Sequence, residues 1–203
     1  MPKFIHILPE YIAIYRLSMQ NLKKWTILTS KMVINHPWCQ VRQDEIELPN
    51  GKVIDDYFVN LKPEVALVLP ITNNQEIVFV RQYRHAVGEF FVELPAGSFD
   101  PEQESAEVAA IRELTEETGY ITQQVSKIAT LYDKPSKDTN QIHLFLAKNV
   151  SKAREQKLDV TEEIEVVLIP VESVMEKIIQ GEIAVAGTVA ALFLGLNFLN
   201  GSK

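Results

Sequence analysis

The sequence predicts an α+β fold, an α/β/α sandwich on a mixed sheet, preceded by a small antiparallel β unit. Three observations carry this expectation. Strand-like runs open and close the folded part of the chain, with helical segments between and after them. Asn50-Gly51 separates Glu45–Leu48 from Val53–Val59, a strong two-residue hairpin signal. From Ser105 to Gly119 the residues follow a helical pattern with stop and start signals at its ends.

In chain order, residues 1–24 form an extension without an assigned role. It is apolar in places, but Pro9, Glu10 and Arg16 interrupt it and it lacks a signal-peptide layout. Residues 25–60 alternate and turn as the small β unit, and 61–203 make the main domain. Glu64–Leu69 and Glu76–Arg84 read as strands joined by the polar turn Thr72–Gln75. Phe90–Leu94 leads into the helix. Ser105 is a good N-cap, with Asp100 followed by Pro101 as a competing start. Gly119 fits the left-handed position past the last turn. Ile128–Leu131 and Ile142–Ala147 flank a long polar loop, Tyr132–Gln141, and Ile164–Ile169 is a further strand. Val171–Gln180 and Val185–Leu199 read as helices. The apolar run Ile183–Leu199 contains Gly187, Gly195 and Asn197 and falls short of the ~20 residues of a membrane span, so it reads as a buried terminal helix.

Chemistry concentrates on the central helix. Glu113, Glu116 and Glu117 stand at i, i+3 and i+4, where like charges oppose the helix by a few tenths of a kcal/mol per pair. Glu116 and Glu117 also oppose the helix dipole from its last turn, by about 0.3–1 kcal/mol each. A bound hard cation would turn this repulsion into attraction. At roughly 100° per residue the three glutamates cover about a 100° arc, shared by Ala106, Ala109 and Ala110. These small side chains let another backbone, or a ligand, come close beside the charges, and Val108, Ile111 and Leu114 lie on the side and back, where a core would sit. The plain alternative is an ordinary acidic surface.

Composition narrows the classes. The chain has 203 residues, 46% of them apolar, enough for one domain plus a modest extension. A net charge of −7 argues against non-specific nucleic-acid binding, which rests on basic surface. Cys39 is the single cysteine, so no internal disulfide forms. No membrane partner is expected, and the location expected is cytoplasmic.

The residues Arg112 to Tyr120 (Arg-Glu-Leu-Thr-Glu-Glu-Thr-Gly-Tyr) resemble the second half of the Nudix box, with Glu104 at the matching distance before Arg112. The first half departs from the pattern, because six residues rather than five separate Gly97 from Glu104. The resemblance implies the Nudix fold and a hydrolase of diphosphates linked to another group. It assigns Glu113 and Glu117 as principal metal ligands, with Glu116 sharing or bridging a further ion. The Ala96 carbonyl becomes the backbone ligand, and Gly97, Glu104 and Arg112 brace the box. Mg²⁺ is the implied cofactor, with Mn²⁺ as a substitute; with no cysteine cluster, zinc does not suit the set.

From Tyr57 onward the chain is similar to the ADP-ribose pyrophosphatase subfamily, through Val80–Arg84, Glu93–Gly97 and Asp159–Val166. That likeness implies a homodimer in which the 25–60 unit is exchanged, and a small-molecule nucleotide sugar as substrate. It places the general base in the late acidic loop, at Glu162 or its neighbour Glu163; a solvated turn explains both equally well. Arg84 resembles a phosphate-contacting arginine, suited to bidentate contact, with a structural ion pair as its rival. Arg81, His85 and His143 read as structural. Glu93 is a candidate ribose or metal-shell contact. Trp38 is a candidate base-stacking residue or else a core tryptophan. ADP-ribose, split to AMP and ribose 5-phosphate, is the expected substrate; a UDP- or GDP-hexose is the alternative. A non-catalytic sensor is the rival class, and sensors commonly lose box glutamates, which this chain keeps.

Overall fold

Alternation along three central strands sets the architecture, because successive strand side chains point to opposite faces. The computed structural model describes residues 22–201. Residues 1–21 of the N-terminal extension lie outside the described residues. The chain divides into two units, Met1–Asn60 and Leu61–Lys203.

In the first unit, β1 (Thr26–His36), β2 (Cys39–Glu47) and β3 (Val53–Leu61) form a three-stranded sheet in that order. Strands β1 and β2 pair antiparallel from Thr26 opposite Glu47 to His36 opposite Cys39. The β2–β3 turn closes through Gly51, whose φ of 81° a side chain disfavours and whose amide donates to the Leu48 carbonyl at 2.9 Å. Trp25 meets Tyr57 edge-on at 5.7 Å. Asp44 is buried between Ser30 Oγ (2.6 Å) and the Arg42 guanidinium (2.8 Å to Nε). Burial works against its charge, but Ser30 and Arg42 outweigh it and hold the carboxyl below its ordinary range.

The second unit is a mixed sheet between helices. Its strands are β4 (Glu64–Thr72), β5 (Glu76–Arg84), β6 (Glu89–Glu93), β7 (Ala96–Phe99), β8 (Tyr120–Ile121), β9 (Ser126–Leu131), β10 (Ile142–Lys152) and β11 (Ile164–Pro170). The main path runs β11-β5-β4-β10-β8, with β6 on β5, β7 on β4 and β9 on β10. Only the β4–β10 pairing among the described ladders is parallel. Helix α1 (Ala106–Thr118) packs on one face; α2 (Val174–Ile179) and α3 (Ala186–Gly201) belong to the other. Leu67, Leu69, Phe79, Leu144 and Leu146 point toward Val174 and Leu192. Their neighbours Ala66, Val68, Val78, Phe145 and Ala147 point toward α1.

Three local expectations change. Helix α1 turns its alanines inward: Ala109 and Ala110 are fully buried against the sheet, while Val108 is 54% exposed. Small side chains let the helix backbone approach the strands, so Glu113 and Glu117 share the buried side with Leu114, and of the expected core residues it is Val108 that points outward. Strands β7 and β8, not anticipated, complete the sheet beside α1. The expected helix over Val171–Gln180 begins as a 3-10 turn, Val171–Ser173, before α2. Among the described residues, no helix is long and apolar enough to cross a membrane.

Candidate active site

Helix α1 is fixed at both ends. Ser105 Oγ accepts the Val108 amide, so Ser105 rather than Asp100 is the N-cap, and Gly119 adopts φ 73° at the C-cap. A side chain at Gly119 would place its Cβ 2.1 Å from the Arg154 carbonyl. The C-terminal half of α1 therefore presents Glu113 and Glu117 at a defined height against β7.

Both carboxylates are deeply buried, at 8% and 4% exposure. Glu117 Oε2 accepts the Ala96 amide at 3.1 Å. Burial, followed by the charge of Glu113, pushes the Glu117 carboxyl up to about 9; the Ala96 hydrogen bond offsets part of this. Burial also raises Glu113, against the opposing pull of Arg112. Gly97 lies directly beside Glu113, where an added Cβ would sit 2.0 Å from the carboxylate.

Arg112 gathers the box. Its Nη1 donates to Glu113 Oε1 (2.6 Å) and Glu116 Oε2 (3.1 Å), and its Nη2 to Glu104 Oε1 (2.7 Å). These pairs, Glu104 first, raise the arginine's pKa. The extra residue before Glu104 is absorbed in a turn, where the Asp100 carbonyl accepts from Gln103 and Glu104 amides at 2.9 and 3.0 Å.

Arg84, at the end of β5, grips Glu93 with two bonds of 2.7 and 2.9 Å, and this pairing raises its pKa. The charges of Glu117 and Glu162 act on Arg84 as well. The charge of Glu162 likewise raises Glu113 and Glu117, and its side chain is half-buried. Its neighbour Glu163 is exposed. A tight turn holds Glu162, whose amide donates to the Asp159 carbonyl while its Oε2 accepts the Asp159 amide, both at 2.9 Å.

Trp38 belongs to the first unit, at the β1–β2 turn. It is 88% exposed, so the core alternative does not hold. Arg81 pairs with Glu165 at 3.1 Å and lies over Phe90; His143 pairs with Glu64 at 3.0 Å. Two supports gave no sequence signal. Buried Thr188 accepts the Leu94 amide at 3.1 Å, and Val68 donates to the Pro95 carbonyl at 3.0 Å, fixing the segment from Glu93 to Ala96.

Among the described residues, no three acidic, histidine or cysteine side chains already converge as a metal cluster. Glu113 and Glu116 are instead paired with Arg112. The donor set nevertheless suits a hard divalent cation: three carboxylates and the Ala96 carbonyl supply oxygen alone. Of the two adjacent buried carboxylates, Glu113 is paired with Arg112, while Glu117 is raised to about 9 despite the Ala96 amide and the charge of Arg84. Holding an ion asks Glu113 and Glu116 to give up part of their contact with Arg112.

Comparison with known proteins adds an independent line. Residues 61–188 match the model of the NUDIX domain, and 25–60 match that of the nucleoside diphosphate sugar hydrolase N-terminal domain. An ADP-ribose pyrophosphatase of Bacillus subtilis (strain 168) is 31% identical over 175 residues, covering 86% of this chain and 93% of that one. A GDP-mannose pyrophosphatase of Cronobacter sakazakii is 35% identical over 135 residues, covering 63% and 70%. The crystal structure of an ADP compounds hydrolase superposes with a TM-score of 0.80 at 25% identity, covering 91% of this chain and 98% of that one.

Proposed function

This chain belongs to the Nudix hydrolase family, and we propose that it hydrolyses the diphosphate of a nucleoside-diphosphate sugar, ADP-ribose foremost, giving AMP and ribose 5-phosphate. The carrying observation is the pair Glu113 and Glu117, buried side by side on one helical turn, with the charge of Glu162 acting on both.

Nudix hydrolases generally use divalent metal ions, and Mg²⁺ suits this all-oxygen set, with Mn²⁺ as a substitute. When bound, such an ion lowers the pKa of water and polarises phosphoryl oxygens. Glu113, Glu117, Glu116 and the Ala96 carbonyl would hold it. Glu162 accepts the proton of the attacking water; water oxygen joins one phosphorus as the bridging P–O bond breaks, and the other phosphate departs. Arg84, with Glu93 orienting its guanidinium, binds the diphosphate through its remaining donors. Gly97, Glu104 and Arg112 keep the helix and loop in register.

A homodimer exchanging the 25–60 unit is part of this reading. The three-stranded sheet exposes Ile27, Met32, Val33 and Ile34 along β1, apolar side chains that the partner protomer would cover in this reading. Trp38 then stacks on the nucleobase. The net charge of −7 disfavours nucleic acid as a partner, and the single cysteine agrees with a cytoplasmic setting.

The test is a panel of nucleotide sugars with Mg²⁺, reading phosphate released by a coupled phosphatase that acts on the monophosphate products. ADP-ribose should give the highest kcat/KM. The GDP-mannose pyrophosphatase relative favours a GDP-hexose as the second reading, and a higher kcat/KM for GDP-mannose would select it. No turnover of any member would overturn the enzyme reading.

A further inference from the structure

Carbonyls at a helix C-terminus have no partner inside the helix. In α1 the segment following β10 takes them. Ala153 and Arg154 amides donate to the Gly119 carbonyl at 3.0 and 3.1 Å, and the Lys157 amide donates to the Glu116 carbonyl at 2.8 Å. The side chain of Gln156 adds a contact of a different kind. Its Nε2 donates to the Glu117 carbonyl at 2.6 Å and also to the Ile164 carbonyl at 3.2 Å.

Those two carbonyls belong to different elements, the last turn of α1 and the first residue of β11. Glu117 carries the buried carboxylate of α1; Ile164 opens β11 directly after Glu162 and Glu163. A primary amide has two N–H donors on one nitrogen, so Gln156 satisfies both carbonyls without adding charge beside Glu117. Beyond this staple, the hydrogen bonds within residues 158–163 are those of the Asp159–Glu162 turn. The Lys157 amide and Gln156 thus tie the start of the Glu162 loop to α1, and Gln156 also ties it to the first residue of β11.

We infer that Gln156 is a positioning residue, a double-donor staple that sets Glu162 against the box glutamates. The inference rests on the reading of Glu162 as general base. A displacement of about 1 Å at the reacting centre can slow chemistry about 100-fold, so loss of the staple acts on kcat. Substrate binding through Arg84 and Glu93, on β5 and β6, does not pass through it.

The experiment compares Gln156→Met, which keeps bulk without donors, and Gln156→Glu, which sets oxygens against both carbonyls, with Glu162→Gln and with the Gln156→Met/Glu162→Gln double variant. Steady-state turnover of ADP-ribose with Mg²⁺ is read beside hydrogen exchange of residues 157–163. Expected are a kcat about 10–100-fold lower in each Gln156 variant, KM within about twofold, and faster exchange in that segment alone. The double variant should be no slower than Glu162→Gln. Wild-type kcat in the Gln156 variants beside a slow Glu162→Gln overturns the staple and leaves the base in place. A wild-type rate in Glu162→Gln removes the base itself, and this inference with it. Slowing accompanied by accelerated exchange throughout the chain would mark Gln156 as merely structural and also overturn the proposal.

Discussion

Gly97 and Glu113 are in such close apposition that a single methyl group cannot fit between them: its carbon would lie 2.0 Å from the carboxylate. The clashing atoms are the end of a flexible side chain, so the helix need not move; the carboxylate must. Gly97→Ala should fold with a Tm close to wild type yet lose at least about tenfold in kcat/KM, as expected of a misplaced catalytic group. Thermal melting and turnover, measured on the same preparation, check this. Full activity would show that the position of Glu113 is unimportant.

The second expectation concerns pH. Glu117 is raised in the folded chain from an ordinary value of 4.5 to about 9, chiefly by burial. The folded state thus binds the proton more tightly than the unfolded state, and the unfolded state releases it first as pH rises. Stability from this group is complete below about 4.5 and is lost as pH climbs toward about 9. Denaturation in EDTA should therefore show stability declining across that window. Glu117→Gln should flatten the decline and be more stable at pH 8 by on the order of 2 kcal/mol, roughly 4–8 °C at this size. An unchanged slope in the variant would assign the effect to another group.

Arg84 offers a third test. Its two bonds to Glu93 hold the guanidinium plane, which leaves other N–H donors for phosphate. Arg84→Ala should raise KM for ADP-ribose about 10–100-fold, the equivalent of one charge-assisted contact of about 1.5–3 kcal/mol. Glu93→Gln should give a smaller effect in the same direction. Michaelis kinetics decide, and an unchanged KM in Arg84→Ala would make the Arg84–Glu93 pair structural only.

Trp38 stands exposed at a turn, so its removal should leave the fold alone. Trp38→Ala is expected to keep its Tm and lose about 1–3 kcal/mol of substrate binding if the ring stacks on a base. Calorimetric titration with AMP reads this directly. Equal affinity for AMP would remove Trp38 from the site.

Much of the site was legible because it is local. Caps at Ser105 and Gly119 and glutamates spaced i, i+3 and i+4 declare themselves within one helix. The inward turn of that helix was not legible: Val108 is more apolar than Ala109 or Ala110, yet the alanines are buried because the sheet demands close approach. Strand β7 escaped notice because its four residues owe their extended form to pairing with β4, from Glu64 opposite Phe99 to Leu67 opposite Ala96. Glu162 and Glu163 cannot be separated by type; in the fold they differ in burial, Glu162 half-buried and Glu163 exposed. Thr188 and Gln156 are ordinary polar residues whose partners lie 94 and 39 positions away, a distance no local pattern spans.

The most direct test of the account is Mn²⁺ binding, followed by electron paramagnetic resonance in the presence of a non-hydrolysable ADP-ribose analogue. Wild-type protein should bind the ion saturably, and Glu113→Gln/Glu117→Gln should bind it at least about tenfold more weakly, since hard cations depend on charged oxygen ligands. Equal affinity in the two proteins would contradict the assignment of these buried glutamates as the cation's seat.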